Sequence, residues 1–317
     1  MPHRALPLGS STARQPTDSA VPVLWTRGRE RRALAEALAG DSAQRAESDV
    51  TSSCIAARAG VLVARHPRSF DLCSVVTPHG FSPSTTRSVV ATVGGGPHSP
   101  LAAAVAQRLS ERLGVPSLAI YAYRHVSERS RAVHVLDGLA AHVQHLDTQP
   151  VLVPNPAAMV AALPVGTLLV VGAPGGSWSQ RQFFGPGAHI KAKAPSGTIV
   201  VHHAPARVYQ VMQPPVAFGP HMRAADAMQL SDTHHLIVAQ EGRLLGLVAQ
   251  HALLNARPAH ELKDIMDAPV SLSLEDPVDH ARSIVREHPD TAIPVIDGRD
   301  HIVGTVAADD LDSRPLI

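Results

Sequence analysis

The chain has 317 residues, 44% of them apolar, which is enough to bury two or three cores, and no apolar window approaches the ~18 residues of a membrane span. A formal net charge of +1, with one short basic cluster at residues 27–32 interrupted by Glu30, leaves no electrostatic footprint for nucleic acid. Two cysteines, Cys54 and Cys73, make neither a disulfide framework nor a Cys-x2-Cys pair, and the 19 histidines lack metal-ligand spacing, so no metal site is read; residues 1–8 lack the continuous apolar core of a signal peptide, and a cytoplasmic location is expected.

Residues 1–20 are rich in Ser, Pro and Thr without periodicity and read as a disordered tail. Val21-Pro-Val-Leu-Trp25 reads as a short strand, and residues 27–39 carry Ala and Leu at helical spacing up to a stop at Gly40. After a short helix, Gly60-Val-Leu-Val-Ala64 is a second strand that runs into Arg65-His-Pro67-Arg68. Ser82-Pro-Ser-Thr-Thr-Arg87 is a linker by composition. A fresh strand, Ser88-Val-Val-Ala-Thr-Val93, then ends in Gly94-Gly95-Gly96. The following helix, apolar at Leu101, Val105, Leu109 and Leu113, stops at Gly114, and a strand over 116–123 completes a βαβ unit of right-handed connection.

Helices over 130–143 and 156–163, with a strand at 150–153 between them, lead to Thr167-Leu-Leu-Val-Val171-Gly172-Ala-Pro-Gly175 and then to Phe183-Phe184-Gly185-Pro186-Gly187. The apolar run suits a strand buried on both faces of a parallel sheet, and the glycines leave backbone N–H groups open to a phosphate. A helix starting near Pro186 would aim its positive end at the same place. The strand at 197–202 is the fifth of this unit. His202-His203 and His234-His235 read as surface or strand-end residues.

The spacing Gly172-x2-Gly175-x9-Gly185, with this succession of strands and helices, resembles the nucleotide-binding pattern of universal stress proteins. Across residues 87–205 the resemblance implies an α/β fold of the parallel-sheet, adenine-nucleotide α-hydrolase-like kind. It also implies an adenine nucleotide, ATP, ADP or AMP with or without Mg²⁺, held at Gly94, Gly95, Gly172, Gly175, Gly185 and Gly187. Two positions depart from the family. Gly94 stands where the first strand usually ends in Asp, and Pro186 follows the third glycine where Ser or Thr is usual, each lost contact being worth about 1 kcal/mol or more. Set beside the glycine strand, Val61-Leu-Val-Ala-Arg-His-Pro67-Arg keeps strand and proline but substitutes Arg65 and Arg68 for glycines. Residues 21–86 are therefore read as a degenerate α/β half-domain that packs on the next domain, either a remnant of a tandem unit of this family or an unrelated extension.

From residue 206 the chain repeats itself. Val208-Tyr-Gln-Val-Met212-Gln-Pro-Pro215-Val216 is echoed by Leu262-Lys-Asp-Ile-Met266-Asp-Ala-Pro269-Val270, and each copy continues into an amphipathic helix and a strand pair. Glu241-Gly242 and Asp297-Gly298 read as the hairpin turns, and a last helix closes each copy. The tandem, 206–258 and 259–317, resembles a pair of CBS (cystathionine-β-synthase) domains, an α+β module that in that family binds adenosine-containing ligands. Of the family's Gly-h-h-Ser/Thr-x-x-Asp segment, Gly304-Thr-Val-Ala307-Ala-Asp309-Asp310 retains Asp310, whereas Gly246-Leu-Val-Ala249-Gln-His-Ala252 retains neither polar residue. The resemblance gives Ile293, Pro294 and Val295 to the base and Asp310 to the ribose. The plainer role for Asp310 is a carboxylate on a helix dipole.

No P-loop, nucleophile elbow, carboxylate pair or metal cluster is present to support catalysis, so binding is the reading of the sequence. The expectation is a stress-response or regulatory protein that senses adenine nucleotides and signals through a homodimer or an unidentified protein partner. Slow ATP hydrolysis, with His189 or Lys191 as base, and a structural scaffold with vestigial pockets are the alternatives.

Overall fold

The computed structural model describes residues 21–66, 70–141, 143, 146–173, 194, 196–230, 235–289 and 291–311. Nine strands of the N-terminal region form one sheet: β1 (Val23–Trp25), β2 (Gln44–Arg45), β3 (Val61–Val63), β4 (Ser74–His79), β5 (Ser88–Thr92), β6 (Ser117–Tyr123), β7 (Asp147–Leu152), β8 (Thr167–Gly172) and β9 (Thr198–His202). Their spatial order is β2-β1-β3-β4-β9-β8-β5-β6-β7. All neighbours are parallel except β4 and β9, which are antiparallel. Residues 21–86 thus extend the sheet edge to edge, where packing of one domain on another was expected.

The helices α1 (Arg29–Ala39), α2 (Val50–Ala56), α3 (Ser99–Leu113), α4 (Arg129–Ala140) and α5 (Pro156–Ala161) cover both faces. All six residues of β8 are buried, and they alternate as strand geometry requires. Leu168 and Val170 enter a core with Leu34 and Leu38 of α1, Leu101 and Leu109 of α3, and Leu136 of α4. Leu169 and Val171 enter the opposite core with Met159 and Val160 of α5. The glycine stops read from sequence are present: Gly40 ends α1 at φ 61°, and Gly114 ends α3 at φ 64° with its N–H on the Ser110 carbonyl. α1 and α3 also meet, Arg108 Nε donating to the Leu38 carbonyl at 3.0 Å.

The C-terminal copies have matching sheets. β10 (Ala217–Phe218), β11 (His235–Gln240) and β12 (Arg243–Ala249) make the first, and β13 (Leu272–Ser273), β14 (Ile293–Ile296) and β15 (Ile302–Val306) the second. In both, a parallel pair is followed by an antiparallel hairpin whose register breaks after Val238 and after Val295. Glu241 and Gly242 form the expected tight turn, at φ 52° and 82°. The second turn differs from its expectation. It is a wider loop in which Asp297 Oδ1 accepts the N–H groups of Arg299 and His301, and Asp300 rather than Gly298 takes the left-handed conformation, at φ 61°.

The repeated methionines and glycines interlock the copies. A Cβ on Gly304 would lie 2.6 Å from Met212 Sδ, and one on Gly246 would lie 2.8 Å from Met266 Sδ and 2.7 Å from the Asp267 carbonyl. Each copy's entry segment is therefore seated on the other's hairpin, with bridges between Gln213 and Thr305 and between Leu247 and Asp267. The pair docks on the sheet through the helix Val208–Val211. The Tyr209 hydroxyl reaches the carbonyls of Ala59 and Leu72 at 2.9 and 3.0 Å, and Arg58 donates to the Met212 carbonyl at 2.7 Å.

Candidate functional site

In the half-sheet β7-β6-β5-β8-β9 the chain leaves β5 for β6 on one side and later returns to β8 on the other. Such a reversal opens a crevice at the carboxyl ends of the two central strands. Thr92 of β5 is level with Val171 of β8, so Gly94 and Gly95 and, from the other strand, Gly172 come to the same sheet end. Gly95 sits at φ 72°. The Gly94 N–H is not bare, since it donates to Ser99 Oγ at 3.1 Å, at the start of α3. Gly175, Gly185 and Gly187 lie outside the described residues, as do Pro186, His189 and Lys191.

Three histidines gather at this end: His202 and His203, expected as surface or strand-end residues, and His98, to which the sequence assigned no role. His98 precedes α3, and its ring lies 4.7 Å from that of His202, the last residue of β9. His98 Nδ1 accepts the His203 N–H at 3.0 Å, which leaves Nε2 to carry the proton of the neutral ring. Burial, aided by the neighbouring His202 and His203, pushes His98 down to about 4. Burial also lowers His203, whose Nδ1 is 3.4 Å from Ser74 Oγ. His202 Nδ1 is buried without a hydrogen-bond partner. The signal for this cluster is three-dimensional, because β9 and the α3 entry are about a hundred residues apart in the chain.

In the C-terminal pair, Asp310 lies in the short helix Ala308–Leu311. Its Oδ2 accepts the Ala307 N–H at 2.9 Å, and its Oδ1 accepts Gln213 Nε2 at 2.9 Å. Gln213 is itself pinned to Thr305 by two backbone hydrogen bonds of 2.8 and 2.9 Å. One carboxylate thus joins the second copy's helix start to the first copy's entry segment, an arrangement that includes the plain capping role. Gln213 was the residue missed, and its repeat partner Asp267 gives no amide to guide the eye. Ile293 and Val295 are fully buried in the core of the second copy, so they could meet a ligand only through backbone, while Pro294 stands level with Thr305. In the first copy the corresponding helix, Gln250–Asn255, follows Ala249 and has no side-chain cap.

Two clefts are distinct from these constellations. One of about 500 Å³ lies between the two hairpin tips, lined by Gln240, Glu241, Arg243, Ser271 and Asp300, and does not reach Asp310. Another of about 480 Å³ opens at the carboxyl ends of β1 and β2, between Thr26, Arg27, Arg45, Glu47 and Ser48. Among the described residues no group of three or more His, Cys, Asp or Glu could hold a metal ion, and no helix is long and apolar enough to cross a membrane.

The family model for the CBS domain matches residues 208–259 and again 262–315, and this region is a tandem CBS pair. Curated proteins compared with the chain yield no match. Among solved structures, the chain is similar to the cytosolic domain of the Mg²⁺ channel MgtE in complex with ATP, at 23% identity over 33% of this chain and 47% of that one, with a TM-score of 0.31. It spans less than half of that domain. CBSX2, a CBS-pair protein from Arabidopsis thaliana determined in complex with AMP, matches at 18% identity over 33% of this chain and 92% of the other, with a TM-score of 0.31. The CBS pair of protein MJ0100, in complex with 5′-methylthioadenosine and S-adenosyl-L-methionine, matches at 20% identity over 34% and 93%, with a TM-score of 0.30.

Proposed function

We propose that the chain is a nucleotide-responsive regulatory protein in which the second CBS copy binds the adenosine part of AMP, ADP or ATP. The observation that carries this reading is the Asp310 carboxylate, which stands beside Gln213 and Thr305 in one copy only. On binding, Asp310 would exchange its Gln213 bond for two charge-assisted bonds to ribose hydroxyls. Gln213 belongs to the segment that also meets Arg58, in the turn between α2 and β3, so a ligand favouring one arrangement of that segment would shift the balance between packings by its differential affinity.

A second adenine-nucleotide site, of universal-stress type and serving a stress response, belongs to the half-sheet of β5 to β9. Its support is the crossover order of the strands and the meeting of Gly94, Gly95 and Gly172 at the reversal; the motif spacing alone assigns Gly175, Gly185 and Gly187 to the same site, with or without Mg²⁺. Calorimetry on the full chain with AMP, ADP and ATP tests both sites. Asp310→Ala is expected to weaken one binding event about tenfold or more and leave any other unchanged. Absence of heat and of a melting shift with all three nucleotides would sink the sensor. That outcome would favour a scaffold, a reading supported by both Asp310 oxygens and the Gly94 N–H already having protein partners.

A further inference from the structure

Cys54 on α2 and Cys73, just before β4, are both reduced and buried, at 0% and 1% exposure. Their sulfurs are 3.9 Å apart. A disulfide spans about 2.05 Å, so closure asks for about 2 Å of approach. Around the pair are Leu24, Ala59 and Leu62, an apolar setting that no motif in the sequence announces.

What lies next to these thiols gives them a consequence. Ala59 donates its N–H to the Cys54 carbonyl at 2.8 Å, and Leu72 is the immediate neighbour of Cys73. The carbonyls of Ala59 and Leu72 are the two acceptors around the Tyr209 hydroxyl, and Gln210 Nε2 donates to the first of them at 2.7 Å. Any backbone movement that draws the sulfurs together would therefore be passed to the two carbonyls on which the CBS pair is seated. We propose that Cys54 and Cys73 form a reversible disulfide that loosens the seating of Tyr209 and Gln210, so that thiol oxidation controls how the CBS pair docks on the sheet.

The oxidant class is a low-molecular-weight disulfide. The Cys54 thiolate attacks one of its sulfurs, forming a mixed disulfide and releasing one small thiolate. The Cys73 thiolate then attacks the Cys54 sulfur and expels the second. The two protons lost by the protein end on the two small thiols, and the protein pair gives up two electrons to the reagent. Cys54 suits the attacking role, because the hydrogen bond from Cys73 lowers its thiol below the ordinary value against the opposing effect of burial. Access comes through opening of α2, a helix of 7 residues capped by exposed Asp49.

The full chain incubated with excess oxidised glutathione, alkylated and digested, is expected to yield a peptide linked through Cys54 and Cys73, with loss of both alkylatable thiols and recovery in dithiothreitol. Cys54→Ser and Cys73→Ser should yield no link. Hydrogen exchange over residues 207–213 should quicken about fivefold in the oxidised wild type, the loss of roughly one hydrogen bond, and stay unchanged in the double serine variant. Thiols that remain alkylatable in the native chain, under an oxidant that links them in urea, overturn the site. A link formed with exchange over 207–213 unchanged or slowed overturns the coupling. Neither outcome depends on nucleotide binding, so the inference and the sensor reading fail separately.

Discussion

The two halves of the nine-stranded sheet repeat one another in register. Leu24 is level with Leu62 and Gln44 as Val90 is with Leu169 and Leu118, and Leu62 is level with Val75 as Leu169 is with Thr198. The antiparallel β4 and β9, joined from Val75 with His202 to His79 with Thr198, lie on the axis that relates the halves. What differs is the carboxyl end. The second half ends in glycines and histidines, whereas the first ends in Thr26, Arg27 and Arg45 around a cleft and follows β3 with Arg65. Apolar strand residues specify the shared frame, and the loops above it are free to diverge because they contribute little to the core.

The sharpest break in this comparison lies at the seam. Gly197 sits at φ 95°, and a Cβ there would come 2.5 Å from the Gly80 carbonyl oxygen. Gly197→Ala is expected to cost about 3–4 kcal/mol in urea denaturation, by backbone clash and left-handed strain together. Next come matched core truncations. Leu34→Ala in α1 and Leu109→Ala in α3 remove fully buried side chains from the same cluster, and each should cost about 3 kcal/mol. Both should shift one common unfolding transition of the sheet. Two resolved transitions, each answering to one variant, would show the halves to be separate units.

Acid should then break the symmetry from one side. His98 falls from 6.5 to about 4 on folding, so the unfolded chain takes up the proton first between those values. Its contribution is fully present above pH 6.5 and is lost as pH falls toward 4, on the order of 1 kcal/mol or more. His98→Asn, which keeps an acceptor for the His203 N–H but does not titrate, should flatten that part of a melting-temperature profile against pH. The smallest effect belongs to the first half. Asp49→Ala removes the acceptor for the N–H groups of Thr51 and Ser52 and should lower the melting temperature by less than any of the changes above.

Much of the frame was legible because β8 is an unbroken apolar run and because the C-terminal copies share Met, Pro and Gly at matching offsets. β2, of 2 exposed residues, carries no periodic signal, since it exists only by pairing with β1. β4 passed unread although Val75, Val76 and Thr77 suit a strand, because Pro78 interrupts the pattern and its main partner lies more than a hundred residues away. At the candidate sites, the glycines and Asp310 could be read from motif spacing. Gln213, His98 and His202 could not, since each becomes a site residue only through a long-range contact.

The seam has a consequence for self-association. A parallel half-sheet alone would expose the outer side of β9 as a template for another chain, but β4 already occupies it. The remaining borders are poor templates: β2 is too short to add to, and β7 carries Pro150, which has no N–H to offer. Among the described strands, the sheet therefore offers a second copy of this chain no good template for strand addition, because it has already been given its partner strand from within.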